Sequence, residues 1–171
     1  MAEWRLSSRF ATMPQSGALS EDVWCPHVTV ACVVADDRGR LLMVEEDVRG
    51  EILFNQPAGH LEPGESLLDA ARRETLEETG WEVEPEAFIG VRQYDSPEHA
   101  AHIVRFAFAA RPLRQRDGHA LDAGILRVHW MDYAQVAALG ARLRSPLVLR
   151  TLDDWLAGQR LPLSAVHAAV R

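Results

Sequence analysis

Residues 59–81 read GHLEPGESLLDAARRETLEETGW. Gly59, Pro63 and Gly64 break regular structure, so residues 58–65 are expected to form a loop. Ser66 then fits the N-cap of a helix, with Asp69 three residues on as its capping partner. Residues 67–79 are rich in Leu, Ala, Arg and Glu, all good helix formers. Gly80 fits the position after the last turn, where a positive φ is commonly required. At about 100° per residue, Leu67, Leu68, Ala71 and Thr75 share one side and are expected to pack on a core.

Glu74, Glu77 and Glu78 follow the i, i+3, i+4 spacing and share a flank of that helix. Two unit charges about 6 Å apart repel by roughly 0.7 kcal/mol in water and about 3 kcal/mol at an effective dielectric near 20. A hard divalent cation reverses the sign of that cost. An oxygen-only ligand set suits Mg²⁺, with Mn²⁺ as the alternative, rather than zinc. Most glutamate clusters on helices are plain solvated faces. The wider pattern argues otherwise, because seven specified residues at fixed spacing arise by chance about once in 10⁸ positions.

That wider pattern resembles the Nudix box, G-x5-E-x7-R-E-U-x-E-E-x-G-U, where U is a bulky apolar residue. Gly59, Glu65, Arg73, Glu74, Glu77, Glu78, Gly80 and Trp81 match it, and Thr75 is the one soft departure. The flanking PHVTVACVV (26–34), NQPAGHLE (55–62) and RSPLV (144–148) resemble the NudJ-type phosphatases of that family. So do GQR (158–160) and PL (162–163). The Pro57-Ala58-Gly59-His60 variant ahead of the box favours the same subgroup.

The resemblance implies an α/β fold, a Nudix-like α/β/α sandwich with a mixed sheet, over residues 27–157. It implies a magnesium-dependent enzyme releasing phosphate from nucleoside tri- and diphosphates, and from thiamine diphosphate or its pyrimidine diphosphate precursor. Glu74, Glu77 and Glu78 carry over as metal ligands, and Gly59 as a backbone carbonyl donor. The position of the base varies among Nudix enzymes, and Glu77 is the expected base toward the attacking water, with Glu98 as a rival. Arg73 and Glu65 carry over as the pair that orients the acidic cluster. Three alternatives stay open: a Nudix hydrolase of ADP-sugars or dinucleoside polyphosphates, one acting on 5′-triphosphorylated RNA, and a nucleotide-binding module without turnover.

The chain has 171 residues, 47% of them hydrophobic, enough for one ordinary core. The net charge of −7 argues against a general nucleic-acid-binding surface, and a polyphosphate substrate needs local cations or arginines. The expected partner is a small nucleotide or diphosphate, with the protein a monomer or homodimer. No apolar run is long enough to span a membrane. Cys25 and Cys32 lie outside any CxxC pattern, so neither zinc nor a disulfide framework is expected. Residues 1–24 lack a secretory apolar region and read as a flexible leader, which points to the cytoplasm.

The domain is expected over 25–157 with a tail at 158–171. Residues 27–35 read as a buried strand, paired in a hairpin with 40–45 across the turn 36–39. Strands are also expected at 52–56, 81–84, 88–94, 102–110 and 126–131, with loops at 47–51, 95–101 and 111–123. Asp132 is expected to cap a helix over 134–139, and Pro146 to open one running to 157. Arg105 interrupts an apolar strand, so its guanidinium must meet solvent, an acid or a phosphate. Asn55 and Gln56 are candidates for hydrogen-bonding a substrate ring, and His60, His27 and His102 for other substrate contacts.

Overall fold

The computed structural model describes residues 24–96 and 101–167. Residues 1–23 of the expected leader, and Glu98, lie outside these. The strands form two sheets. A four-stranded mixed sheet has the order β4-β1-β6-β5, and a three-stranded antiparallel sheet has the order β3-β2-β7. The strands are β1 (His27–Val34), β2 (Leu41–Val48), β3 (Glu51–Asn55), β4 (Ala58–His60), β5 (Trp81–Ser96), β6 (Ala101–Gln115) and β7 (Ile125–Met131). The helices are α1 (Leu67–Thr79), α2 (Tyr133–Ala138) and α3 (Leu147–Leu156).

Strand alternation builds the sandwich. Val30, Cys32 and Val34 of β1 pack with Phe108 and Ala110 of β6 beneath Ala70 and Ala71 of α1. Val33 of β1 and Ala107 and Ala109 of β6 face the other way, against Val136 of α2 and Val148 and Leu152 of α3. Burial on both faces explains why residues 28–34 carry almost no polar alternation. The central pair β1–β6 is parallel, with Thr29 opposite Arg105 and Cys32 opposite Phe108.

The helix α1 has the expected bounds and caps. The Ser66 Oγ accepts from the Asp69 N–H at 3.1 Å, and Gly80 ends the helix at φ 71°. Its inward side includes the expected residues and extends beyond them. Ala71 and Thr75 are buried and Leu67 and Leu68 are half-buried against the core, while Ala70, Glu74, Glu78 and Thr79 are buried as well. Thr75 is fully buried and donates to the Ala71 carbonyl at 2.8 Å, so a hydroxyl occupies this apolar place without an unmet bond.

Five expectations need correction. The turn at 36–39 forms, but β1 and β2 do not make a hairpin. Beyond a single bridge between Ala35 and Leu41 they diverge into different sheets. The polar stretch 47–51 is not an open loop: β2 and β3 form the hairpin, joined by Arg49 and Gly50, both at positive φ. Residues 58–60 are a short strand paired with β1 rather than loop. Pro85 does not end a strand, and residues 111–115 are strand rather than loop. β5 is the sheet's edge and bulges at Pro85, where a missing N–H is tolerated. Arg111 pairs with Glu86, and Arg114 with Glu82, across β5 and β6.

After α3, Gly158 stands at φ 82°. Leu161 then exchanges both backbone bonds with Phe88, at 2.8 and 2.9 Å. Leu163 and Val166 pack on the cluster beneath α1.

Candidate active site

The site begins with a close approach. Antiparallel pairing sets Gly59 opposite Val30 and lays β4 along the end of α1. A Cβ on Gly59 would stand 2.1 Å from the carboxyl carbon of Glu74, so only glycine leaves room for that carboxylate. One helical turn on, Glu78 Oε2 accepts the Ala58 N–H at 2.9 Å. Glu74 and Glu78 are therefore both buried, whereas Glu77 keeps 39% of its side chain exposed. The three carboxylates expected on one flank thus divide into an inner pair and an outer member.

Arg73 ties the cluster together. Its Nε and Nη2 fork onto both oxygens of Glu65, at 3.0 and 2.7 Å. Its Nη1 reaches Glu74 Oε1 at 2.8 Å and Glu77 Oε2 at 2.9 Å. Its Nη2 also donates to the His60 carbonyl at 2.9 Å. The guanidinium holds the Glu65 carboxyl below the usual range. Burial raises Glu74, an effect that Arg73 offsets. Among the described residues, Glu78 has no such cation bonded to it. Burial pushes its carboxyl up to about 8, the Ala58 bond opposes this, and the nearby charges of Glu74, Glu46 and Asp122 add to it.

Beside this cluster lies a cleft of about 260 Å³, walled on one side by Ala58, Gly59 and His60. Of the predicted substrate-contact residues, Arg105, Asn55, His60 and His27 line it. Arg105 is only 7% exposed, and its Nε and Nη1 have no hydrogen-bond partner among the described residues. Burial pulls its guanidinium down to about 10, while the negative charges of Glu78 and Glu46 hold the proton on. Asn55 is 5% exposed with an unmatched Oδ1. His60 contacts His27 ring to ring, Nε2 to Nδ1 at 3.1 Å, and burial and His27 lower its pKa.

Two expected contacts fall elsewhere. Gln56 lies outside the cleft lining; its side-chain N donates to the Val148 carbonyl at 3.2 Å and ties β3 to α3. His102 is also outside, bonded to Asp95 and set edge-on to Trp24. Its even position in β6 turns it from the face that carries Ile103 and Arg105.

Sequence reasoning missed Glu46, Arg144, Ser145 and Tyr94, all in the lining. Glu46 lies 3.5 Å from Arg144 Nε, and burial raises its pKa. The break of an apolar strand at Glu45-Glu46 was a readable signal for it. Tyr94 carried none, since its place depends on the register of β5 on β6.

The donors suit a hard cation: carboxylate oxygens of Glu74 and Glu78 meet the backbone at Gly59, with no sulfur or imidazole among them. Among the described residues, no three acidic, His or Cys side chains form a cation cage by themselves.

The chain belongs to the Nudix family, since the pattern of the NUDIX domain matches residues 26–152. It is 40% identical over 141 residues to Phosphatase NudJ of Escherichia coli (strain K12), covering 82% of this chain and 90% of that protein. The same identity and coverage hold for Phosphatase NudJ of Shigella flexneri. Among solved structures, a NUDIX hydrolase from Nitrosomonas europaea superposes with a TM-score of 0.82 at 40% identity, covering 84% of this chain and 97% of that one. The chain is thus a Nudix hydrolase related to the NudJ phosphatases, and the family uses divalent metal ions. No helix among the described residues is long and apolar enough to cross a membrane.

Proposed function

We propose that this hydrolase is a cytoplasmic, Mg²⁺-dependent phosphatase, with Mn²⁺ able to substitute. Its substrates are nucleoside tri- and diphosphates, and thiamine diphosphate or its pyrimidine diphosphate precursor. The observation that carries the reading is Arg105, whose two unmatched donors lie in the cleft lining within the field of the Glu78 carboxylate. Ala58 and Gly59, against which Glu78 and Glu74 are held, form one wall of the same cleft. A diphosphate would satisfy the arginine, and a divalent cation held by the carboxylates would offset the cost of their burial.

Glu74 and Glu78 would hold the cation, with the Gly59 carbonyl beside them. The bound cation would neutralise charge on the diphosphate and acidify a water. Arg105 would bind a phosphate oxygen and stabilise charge as the bond to the leaving oxygen breaks. Glu77 is the proposed acceptor of the water's proton: it is the outermost acid of the cluster, and Arg73 holds only its Oε2. Arg73 and Glu65 would act through the others, fixing where the carboxylates of Glu74 and Glu77 stand.

The test is product identity. Purified protein with Mg²⁺ is given GTP, GDP and thiamine diphosphate separately, and orthophosphate and pyrophosphate are assayed. Orthophosphate from all three supports the proposal. Pyrophosphate and GMP from GTP would move the attack to another phosphorus. No product from these, with hydrolysis of an ADP-sugar or a dinucleoside polyphosphate instead, would replace the proposal with that specificity.

A further inference from the structure

The floor of the cleft is the part of the mixed sheet that α3 leaves uncovered. Further along the same face, Val33, Ala107 and Ala109 are buried under α2 and α3. Toward the open end, register arranges the floor in rows across three strands. The inner row is Thr29 and Arg105, with Arg92 next to them outside the cleft and tied to Asp154 of α3. The next row outward is His27, Ile103 and Tyr94, and all three line the cleft. Directly opposed residues on neighbouring strands stand side by side, so an imidazole, an aliphatic side chain and a phenol form one continuous strip.

The two ends differ in chemistry. Unmatched buried polar atoms belong to Thr29 and Arg105 in the inner row and to Glu46, Asn55 and Ser145 on the facing wall. The outer row carries no such atom, and Ile103 is half-buried at its centre. A flat ring set over this row meets π and apolar surface, while a phosphate attached to it reaches Arg105 one row in. Stacking of that kind tolerates any ring, because every base has a π face.

We propose that His27, Ile103 and Tyr94 form a stacking shelf for the substrate ring, which accepts purines and pyrimidines alike and leaves selection to the phosphate end. The proposal rests on the phosphohydrolase reading above. It assigns Tyr94 a binding role through its ring face, independent of its hydroxyl.

The experiment compares kcat/KM for GTP, ATP, CTP and UTP with that for tripolyphosphate, which has no ring, in wild type, Tyr94→Ala and Tyr94→Phe. The four nucleotides are expected within about tenfold of one another, and at least about tenfold above tripolyphosphate. In Tyr94→Ala the ratio of nucleotide to tripolyphosphate falls toward one for all four, and in Tyr94→Phe it is retained. A hundredfold preference for one base, or an unchanged ratio in Tyr94→Ala, overturns the shelf. Absence of phosphate release from every compound would instead defeat the hydrolase reading. Calorimetric titration with GDP then decides the shelf separately, with binding at least about tenfold weaker in Tyr94→Ala expected and equal binding contradicting it.

Discussion

Glu78 is the residue whose environment asks most of the fold. The residue is 9% exposed, and burial together with the neighbouring acids raises its carboxyl from 4.5 to about 8, against the lowering effect of the Ala58 N–H it accepts. A raised carboxyl means that the folded protein binds more protons than the unfolded chain between those values. Metal-free stability therefore falls as pH rises from 4.5 toward 8, by up to about 1.4 kcal/mol per pH unit. Glu78→Gln removes this titration. In EDTA, its melting temperature is expected to match wild type near pH 5 and to exceed it by several degrees at pH 8. Parallel pH profiles for the two proteins would contradict the burial argument. Gly59→Ala tests the neighbouring contact. The clash falls on the far end of a flexible side chain, so the fold should survive with little loss of melting temperature. The Glu74 carboxylate must move, however, and kcat/KM is expected to fall at least about tenfold. Full activity in Gly59→Ala would show that the close approach has no catalytic consequence.

At the scale of elements, α1 was legible because its signals are local. Ser66, the run of helix formers and Gly80 each act within a turn of where they stand. Strand β1 was legible as buried on both faces, and its Cys32 thiol is fully enclosed beneath α1, which pushes its pKa up to about 11. Cys32 is therefore expected to resist iodoacetamide at pH 8 in the folded protein and to react once urea unfolds it. Peptide mass mapping reads this directly, and rapid labelling in the native state would show that β1 opens. The long strands β5 and β6 were not legible as units. Pro85 reads as a stop unless it is known to sit at a bulge on an edge, and Arg111 and Arg114 read as loop unless their partners Glu86 and Glu82 are known. Those partners lie 25 and 32 residues away in sequence, so no local rule finds them.

At the scale of the whole molecule, the α/β/α order followed from strands, a crossing helix, more strands and closing helices. The division into two sheets did not, because it depends on β1 taking β6 as its parallel neighbour instead of β2. The site shows the same limit. The Arg73–Glu65 brace and the buried Glu74 and Glu78 came from one motif, whereas Glu46, Arg144 and Tyr94 reach the cleft from three distant elements. The C-terminal stretch is held by the Leu161–Phe88 bridge and by Leu163 and Val166. Ending the chain at Gly158 uncovers part of the cluster beneath α1, and each fully exposed aliphatic side chain costs roughly 1.5–3 kcal/mol. The truncated protein is expected to melt several degrees below the full chain, and an unchanged melting temperature would show that this stretch adds nothing to stability.

The central claim is that Glu74 and Glu78 hold the divalent cation on which phosphate release depends. Its most direct test is orthophosphate release from GDP by wild type and Glu78→Gln, each at saturating Mg²⁺ and again after EDTA. Wild type is expected to turn over only with Mg²⁺, and Glu78→Gln to lose at least about a hundredfold in kcat/KM while keeping its fold. Undiminished release by Glu78→Gln, or by wild type in EDTA, would contradict the account.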